Sequence, residues 1–250
     1  MSKFLVSVIT VSYNSVSTIS DTIKSVLNQT YPNIEYIIVD GGSTDGTVEL
    51  IKSFGDKITR FVSENDNGIY DAINKGIRLA TGKIVGILNS DDFFFDDNIV
   101  ENIVSHFETF DIDAVYGDVR FVRPLETGTI IRYYSSKKFE IGKFKSGQMP
   151  AHPSFYMKRE LFEKFGYYSA DYQIAADFEF LLRYLYLHKI RTKYIEMPFV
   201  TMRAGGISNK SIKSNFRLNK EIRRACRENG INTNYFHIYS KYLSKIFEYV

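Results

Sequence analysis

Four short apolar runs, each stopping on polar residues, fill the first ninety positions of the chain and alternate with stretches whose apolar residues recur at helical spacing. The runs are Phe4 to Thr10, Ile34 to Val39, Ile58 to Ser63 and Ile84 to Leu88. Each reads as a strand, and the fourth, bounded by Gly82 on one side and charge on the other, as one buried on both faces. Between them Ile19, Ile23, Val26 and Leu27, then Val48, Ile51 and Phe54, then Ala72, Ile73, Ile77 and Ala80 mark one-sided helices. This rhythm predicts an α/β fold, a mostly parallel, doubly wound sheet with helices on both faces. Ligands of such sheets bind at the carboxyl ends of the strands.

The polar ends of the runs are therefore the first places to look for chemistry. The fourth run stops on Asn89-Ser90-Asp91-Asp92. Two adjacent carboxylates repel unless a cation lies between them and a polyanion, and hard oxygen ligands suit Mg²⁺ or Mn²⁺ holding a diphosphate. A solvated turn is the plainer reading. The second run stops on Asp40, ahead of Gly41-Gly42-Ser43-Thr44-Asp45-Gly46-Thr47. No Lys follows Gly46, so this is not a phosphate loop. Asp40 itself can accept hydrogen bonds from a nucleobase imide or a ribose diol, or it can cap the turn.

Further along, Ile99 to Phe107 reads as a helix and Ala114 to Val122 as a strand, with loops and short antiparallel strands over the sheet edge from 124 to 147. His152, between Pro150 and Pro153, is expected in extended backbone. A helix from Arg159 to Phe165 precedes one carrying Phe178, Leu181 and Leu182 inward, which places Asp177 in its first turn. There the macrodipole favours the ionised form, and the carboxylate can act as a general base or be an ordinary helix-start acid. Thr192 to Met202 is a last strand. Arg203 and the glycine turn up to Ser208 offer a guanidinium and amides to phosphate oxygens.

The remaining 42 residues differ in charge. Positions 209 to 250 carry nine Lys/Arg and three Glu, a net +6 within a whole-chain charge of +3, and they read as a basic helix from 211 to 228 and an aromatic one from 234 to 249. The chain is 250 residues long and 44% hydrophobic, enough for one large domain or one domain with an appendage. A single cysteine, Cys226, excludes an intramolecular disulfide, and no segment has the length and apolarity of a bilayer span. The expectation is a cytoplasmic protein, or one lying on the inner face of a membrane.

Taken in order, Val11-Ser12-Tyr13-Asn14, Val39-Asp40 with its glycine turn, Gly68-Ile69-Tyr70-Asp71-Ala72-Ile73-Asn74-Lys75-Gly76, Asn89-Ser90-Asp91-Asp92 and Ala175-Ala176-Asp177 resemble the nucleotide-sugar glycosyltransferases of family 2, with the A-type glycosyltransferase fold. The resemblance runs from about residue 4 to 208 and implies a catalytic domain over 1–208, with a nucleotide-binding half at 1–120, an acceptor half at 121–208 and a helical tail at 209–250. It implies that Thr10, Val11 and Tyr13 line the nucleobase pocket, that Asp40 binds the base, and that Lys75, Ser90 and Asp91 lie at the nucleotide. Asp92 would hold Mn²⁺ or Mg²⁺, Asp177 would be the catalytic base, and His152 would shape the acceptor side. Many relatives carry an acid where this chain has Asn89. The implied activity is inverting transfer of a sugar, hexosyltransferase in type, from a UDP-linked donor to a glycan or lipid-linked acceptor in cell-surface polysaccharide synthesis.

Two other readings compete. A sugar-phosphate nucleotidyltransferase needs a glycine- and arginine-rich loop after the first strand, and Val11 to Ser17 contains neither residue. A non-catalytic sugar-nucleotide or glycan-binding protein has no need for Asp91, Asp92 and Asp177 together. No nucleic-acid-binding motif is present. The tail's cations and aromatic stripe suit an anionic membrane surface, packing on the catalytic domain, or a homo-oligomer.

Overall fold

The computed structural model describes residues 4–124, 126–205, 212–245 and 248. The chain runs β1 (Val6–Ser12), α1 (Ile19–Leu27), β2 (Ile34–Asp40), α2 (Thr47–Lys52), β3 (Arg60–Ser63), α3 (Ile69–Leu79), β4 (Ile84–Ile87), β5 (Phe93–Phe94), α4 (Ile99–Thr109), β6 (Ala114–Val122) and β7 (Ile130–Tyr134). It continues with β8 (Tyr156–Lys158), α5 (Glu160–Phe165), α6 (Ala176–Leu182), β9 (Thr192–Arg203), α7 (Ile212–Glu228) and α8 (Tyr235–Lys245).

One mixed sheet has the order β3-β2-β1-β4-β8-β6-β9-β5, with β7 added on β6. The first four strands in that order are parallel, so β2 and β4 flank β1 and their carboxyl ends lie together. Alternation along β1 sends Val6 and Val8 to one face with α1 and α4, and Ile9 and Val11 to the other with α3 and α6. Helices thus cover both faces, as expected of a doubly wound sheet.

Beyond β4 the pairing changes. β8 enters antiparallel between β4 and β6, while β6 and β9 are parallel. Three residues cannot display an alternating pattern, which is why the sequence shows only an extended segment there. The insertion is tight: a Cβ on Gly86 would lie 2.0 Å from the Tyr156 ring, so glycine is required for β8 to approach. The Pro-flanked histidine departs from expectation, since His152–Ser154 form a single 3₁₀ turn. Pro153 fixes a φ compatible with a helical turn, and Ser154 Oγ closes the turn on Ala151 O at 2.6 Å.

The tail packs on the sheet domain. Ile222, Ala225 and Cys226 of α7 and Ile238 of α8 are buried in the same apolar cluster as Phe178, Leu181 and Leu182 of α6. On α8 the stripe is divided: Ile238 and Lys241 face inward, whereas Tyr235, Phe236 and Tyr239 remain exposed. Gly206 to Ser208, Ile246 and Phe247 of the sequence reading lie outside the described residues. Among the described residues no helix is long and apolar enough to cross a membrane.

Candidate active site

Asp40 closes β2 and is fully buried. Its two oxygens accept from Ser12 Oγ at 3.0 Å, Gly42 N at 3.1 Å, Ser43 N at 2.9 Å, Ser43 Oγ at 2.5 Å and Ser63 Oγ at 2.8 Å. Burial alone would raise its pKa, but the bonds from Ser43, Ser63 and Ser12 outweigh burial and hold it below the usual carboxylate value. These donors fill the roughly four lone-pair positions of a carboxylate. Asp40 therefore orders the loop behind it, in which Gly42 has a φ of +82° and a Cβ would meet Asn65 Oδ1 at 2.4 Å. Asn14, itself at a φ of 47°, ties the β1 loop to this one through Ser43 Oγ and Thr44 N.

Asp92, at the end of the segment that follows β4, is in the opposite state. It is 1% exposed, and among the described residues its Oδ1 has no hydrogen-bond partner. Oδ2 accepts from Asn89 Nδ2 at 3.4 Å, and the Arg203 backbone N–H and guanidinium charge also act on the carboxylate. Burial first, and repulsion from Asp91 second, push its pKa well above the carboxylate range. A buried carboxylate oxygen lacking a donor is costly, and a hard cation would relieve it. The residues fit such an ion: Asp92 would supply the oxygen that lacks a donor, and no cluster of three His, Cys, Asp or Glu exists among the described residues, so phosphates and water would complete the shell.

The backbone of this turn is held firmly. Thr22 Oγ1 donates to Ser90 O at 3.0 Å and Asp92 O at 2.6 Å, and Ser90 Oγ lies 2.8 Å from Ser15 Oγ. The Arg203 guanidinium donates to Asp91 O at 2.7 Å and pairs with Asp21. It is engaged in holding the turn instead of standing open to a phosphate.

The other nucleotide-side residues separate. Thr10 is fully buried with its hydroxyl 3.1 Å from Tyr36 OH, Val11 is buried on the opposite face of β1, and only Tyr13 presents a side chain outward, 66% exposed. Lys75 on α3 is paired with Glu64 at 2.9 Å and Asp71 at 3.6 Å and donates to Asn65 O at 3.1 Å.

Asp177 lies in the first turn of α6, as its spacing predicts, and is partly exposed. The macrodipole does not decide its ionisation: burial dominates and pushes the pKa up to about 6, against a bond from Phe178 N at 2.8 Å. It remains a carboxylate near neutrality and is basic enough to take a proton. Its segment is fastened to α3, because Tyr70 OH donates to Ile174 O at 2.6 Å and the Asn74 amide bonds Tyr168 N and O at 3.0 and 2.8 Å. Tyr168 stacks on Phe180 at 4.1 Å and on Tyr70 at 6.1 Å, and its hydroxyl is 2.7 Å from His152 Nε2. Burial lowers the His152 pKa to about 4, so the ring is neutral. Tyr70, Thr22 and the tail's Glu221 carry roles in this arrangement that the sequence reading did not assign, and Arg203, read there as a phosphate ligand, holds the Asp91 turn instead; Glu221 had a signal as the one anion among seven cations between 210 and 227.

Cavities of about 350, 590 and 400 Å³ open elsewhere, and Asp40, Asp92 and Asp177 line none of the three. Strand ends and carboxylate environments, not cavity size, mark out the candidate site. Among known proteins, the sequence pattern of glycosyl transferase family 2 matches residues 7–173. An uncharacterized glycosyltransferase of Mycobacterium tuberculosis is 35% identical over 188 residues, covering 71% of this chain and 68% of the relative. A PGL/p-HBAD biosynthesis glycosyltransferase of Mycobacterium bovis is 27% identical over 221 residues, 86% of this chain and 84% of that one.

The fold is similar to S. aureus TarS 1–349 in complex with UDP-GlcNAc, with a TM-score of 0.71 and 18% identity over 88% of this chain and 66% of that one. It is also similar to the mannosyltransferase PcManGT of Pyrobaculum calidifontis in complex with GDP-Man and Mn²⁺, with a TM-score of 0.65 and 21% identity over 90% and 64%. Against the longer S. aureus TarS chain, this chain spans 43% of that length. With an A-type glycosyltransferase fold, the family pattern over residues 7–173 and curated relatives of the same kind, this chain belongs to glycosyl transferase family 2.

Proposed function

We propose that the chain moves a sugar from a nucleoside-diphosphate sugar, UDP-linked, to a hydroxyl group with inversion at the anomeric carbon. The observation that carries this reading is the contrast between two aspartates: Asp92 holds a buried oxygen without a donor, and Asp177 is a carboxylate poised near pH 6. The UDP-GlcNAc complex of TarS and the GDP-Man and Mn²⁺ complex of PcManGT support the donor class and the cation.

In this scheme Asp92 would hold Mn²⁺ or Mg²⁺, with Asp91 beside it at the nucleotide. When bound, that ion offsets the charge of the leaving diphosphate. Tyr13 covers the nucleobase, Ser90 and Lys75 border the nucleotide, and Thr10, Val11 and Asp40 shape the pocket from behind. Asp177 takes the proton of the acceptor hydroxyl as that oxygen bonds to the anomeric carbon, while the bond to the diphosphate breaks with its electron pair leaving on the diphosphate. One displacement inverts the centre. Neutral His152 sits beneath the acceptor side on Tyr168 and keeps that wall uncharged.

We further infer a glycan or lipid-linked acceptor of the cell envelope, a reading supported by the PGL/p-HBAD biosynthesis relative. Exposed Tyr235, Phe236 and Tyr239, with Arg223 5.0 Å over the Tyr235 ring, would then face the membrane surface. Release of nucleoside diphosphate across a panel of UDP- and GDP-sugars tests the donor reading. A UDP-sugar is expected to turn over, and no release from any member would overturn it.

A further inference from the structure

The helix that carries Asp177 lacks a cap of its own. Ala175 stands at its N-cap and brings no side-chain hydrogen bond to the first turn. The amides just before it are collected from a distant part of the chain. Glu221 of α7 accepts from Gln173 N at 3.1 Å through one oxygen, and from Ile174 N and Ala175 N, both at 2.9 Å, through the other. Three consecutive N–H groups bonded to one carboxylate fix the peptide planes leading into Asp177, because each charge-assisted bond restricts a torsion.

The clamp has further members. Tyr172 OH donates to Glu228 at 2.6 Å, Arg217 bonds the Gln173 side chain, and the Arg224 guanidinium lies 4.6 Å over the Tyr172 ring. Beneath them Ile222, Ala225 and Cys226 are buried against α6. Glu221 is thus one of two anions, with Glu228, on a cationic helix and is directed inward at backbone N–H groups.

We propose that Glu221 is a positioning residue for the transfer reaction, holding the Gln173–Ala175 turn so that the Asp177 carboxylate is presented to the acceptor hydroxyl. The inference rests on Asp177 being the base. It makes the tail part of the catalytic apparatus through a contact 44 residues away from that base. The groups facing Asp177 are Tyr70 from α3, Tyr168, Glu221 from α7 and Lys241 from α8. Of these Glu221 adds a negative charge, which favours the protonated acid.

The test compares full-length wild type, Glu221→Gln, Glu221→Ala and Asp177→Asn. Uncoupled hydrolysis of the best UDP-sugar gives kcat and KM, and the ¹³Cγ shift of Asp177 in uniformly ¹³C-aspartate-labelled protein gives its titration without any substrate. Glu221→Ala is expected to lose about 10-fold or more in kcat with KM within about twofold, the pattern of a group acting only at the transition state. Glu221→Gln, which keeps one acceptor oxygen, is expected to recover part of that loss. In both variants the Asp177 titration should move below its wild-type midpoint, because the neighbouring negative charge is gone. Should Glu221→Ala fail to fold, the Gln variant alone decides through its titration and kcat. An unchanged kcat and an unmoved titration in Glu221→Gln, with Asp177→Asn inactive, would overturn the Glu221 proposal and leave the base assignment standing. A fully active Asp177→Asn would overturn both.

Discussion

The carboxyl ends of β2 and β4 lie on either side of β1, and each is followed or closed by a buried aspartate, yet the two carboxylates are in opposite condition. Asp40 is saturated by Ser12, Gly42, Ser43 and Ser63, and its acidity is strengthened. Asp92 has an oxygen with no donor, and its acidity is weakened. The same residue type at neighbouring strand ends therefore does two jobs. One carboxylate completes the protein's own hydrogen bonding, and the other leaves a deficit that, in the proposed scheme, a cation would fill. Asp177, in the first turn of α6, is a third case, weakened by burial but still partly exposed and able to exchange a proton.

The largest expected effect belongs to Asp177. Asp177→Asn should lose about 10²- to 10⁴-fold in turnover while donor KM stays within about twofold. The wild-type rate should fall as pH drops through about 6, where the base is protonated. The stability effect has the opposite sign. A carboxyl raised to about 6 in the fold stabilises it below the ordinary aspartate value of 3.8 and loses that contribution as pH rises through 6. Asp177→Asn should accordingly melt higher than wild type at pH 8, and a lower melting temperature there would contradict the assigned burial.

Asp40→Asn should act on stability first. An amide cannot accept all the bonds at that position, and leaving buried donors unpaired costs about 3 kcal/mol. Asp40 is held below its ordinary pKa, so its contribution is present above that value and is lost as the pH falls through the lowered one. Urea midpoints of wild type and variant should thus converge in acid. If Asp40→Asn melted like wild type and lost only nucleotide binding, the contrast with Asp92 would collapse, and both aspartates would be ligand-binding.

The smallest effect is expected on the outward side of α8. Phe236 is 84% exposed, so Phe236→Ser should change stability by no more than about 0.5 kcal/mol. At low salt it should reduce flotation with anionic vesicles, and equal recovery of both proteins in the unbound fraction would remove the membrane reading of that face.

Much of this was legible in the residues. The parallel block β3-β2-β1-β4 follows from short β-branched runs alternating with one-sided helices, and β6 has the bounds its pattern predicts. Asp177 appears in the first turn that its spacing places it in. What stayed hidden depends on contacts between distant segments. The entry of β8 beside Gly86 is decided by a ring approaching a backbone, and three residues carry no period. The saturation of Asp40 needs Ser12 and Ser63 from two other strands. The inward turn of Lys241 on α8 reflects packing against the segment around Gly147, which no helical wheel contains. Likewise burial, invisible in a linear pattern, overrides the macrodipole at Asp177.

The central claim is that Asp92 is incomplete until a cation joins it. Turnover of the best UDP-sugar by wild type and Asp92→Asn, each in Mn²⁺ and in excess chelator, tests this most directly. Wild type should lose about 10²-fold or more in chelator and recover with Mn²⁺ or Mg²⁺, and Asp92→Asn should stay folded and be slow in both conditions. Full wild-type activity in excess chelator, or an Asp92→Asn protein with undiminished, metal-dependent turnover, would contradict the account.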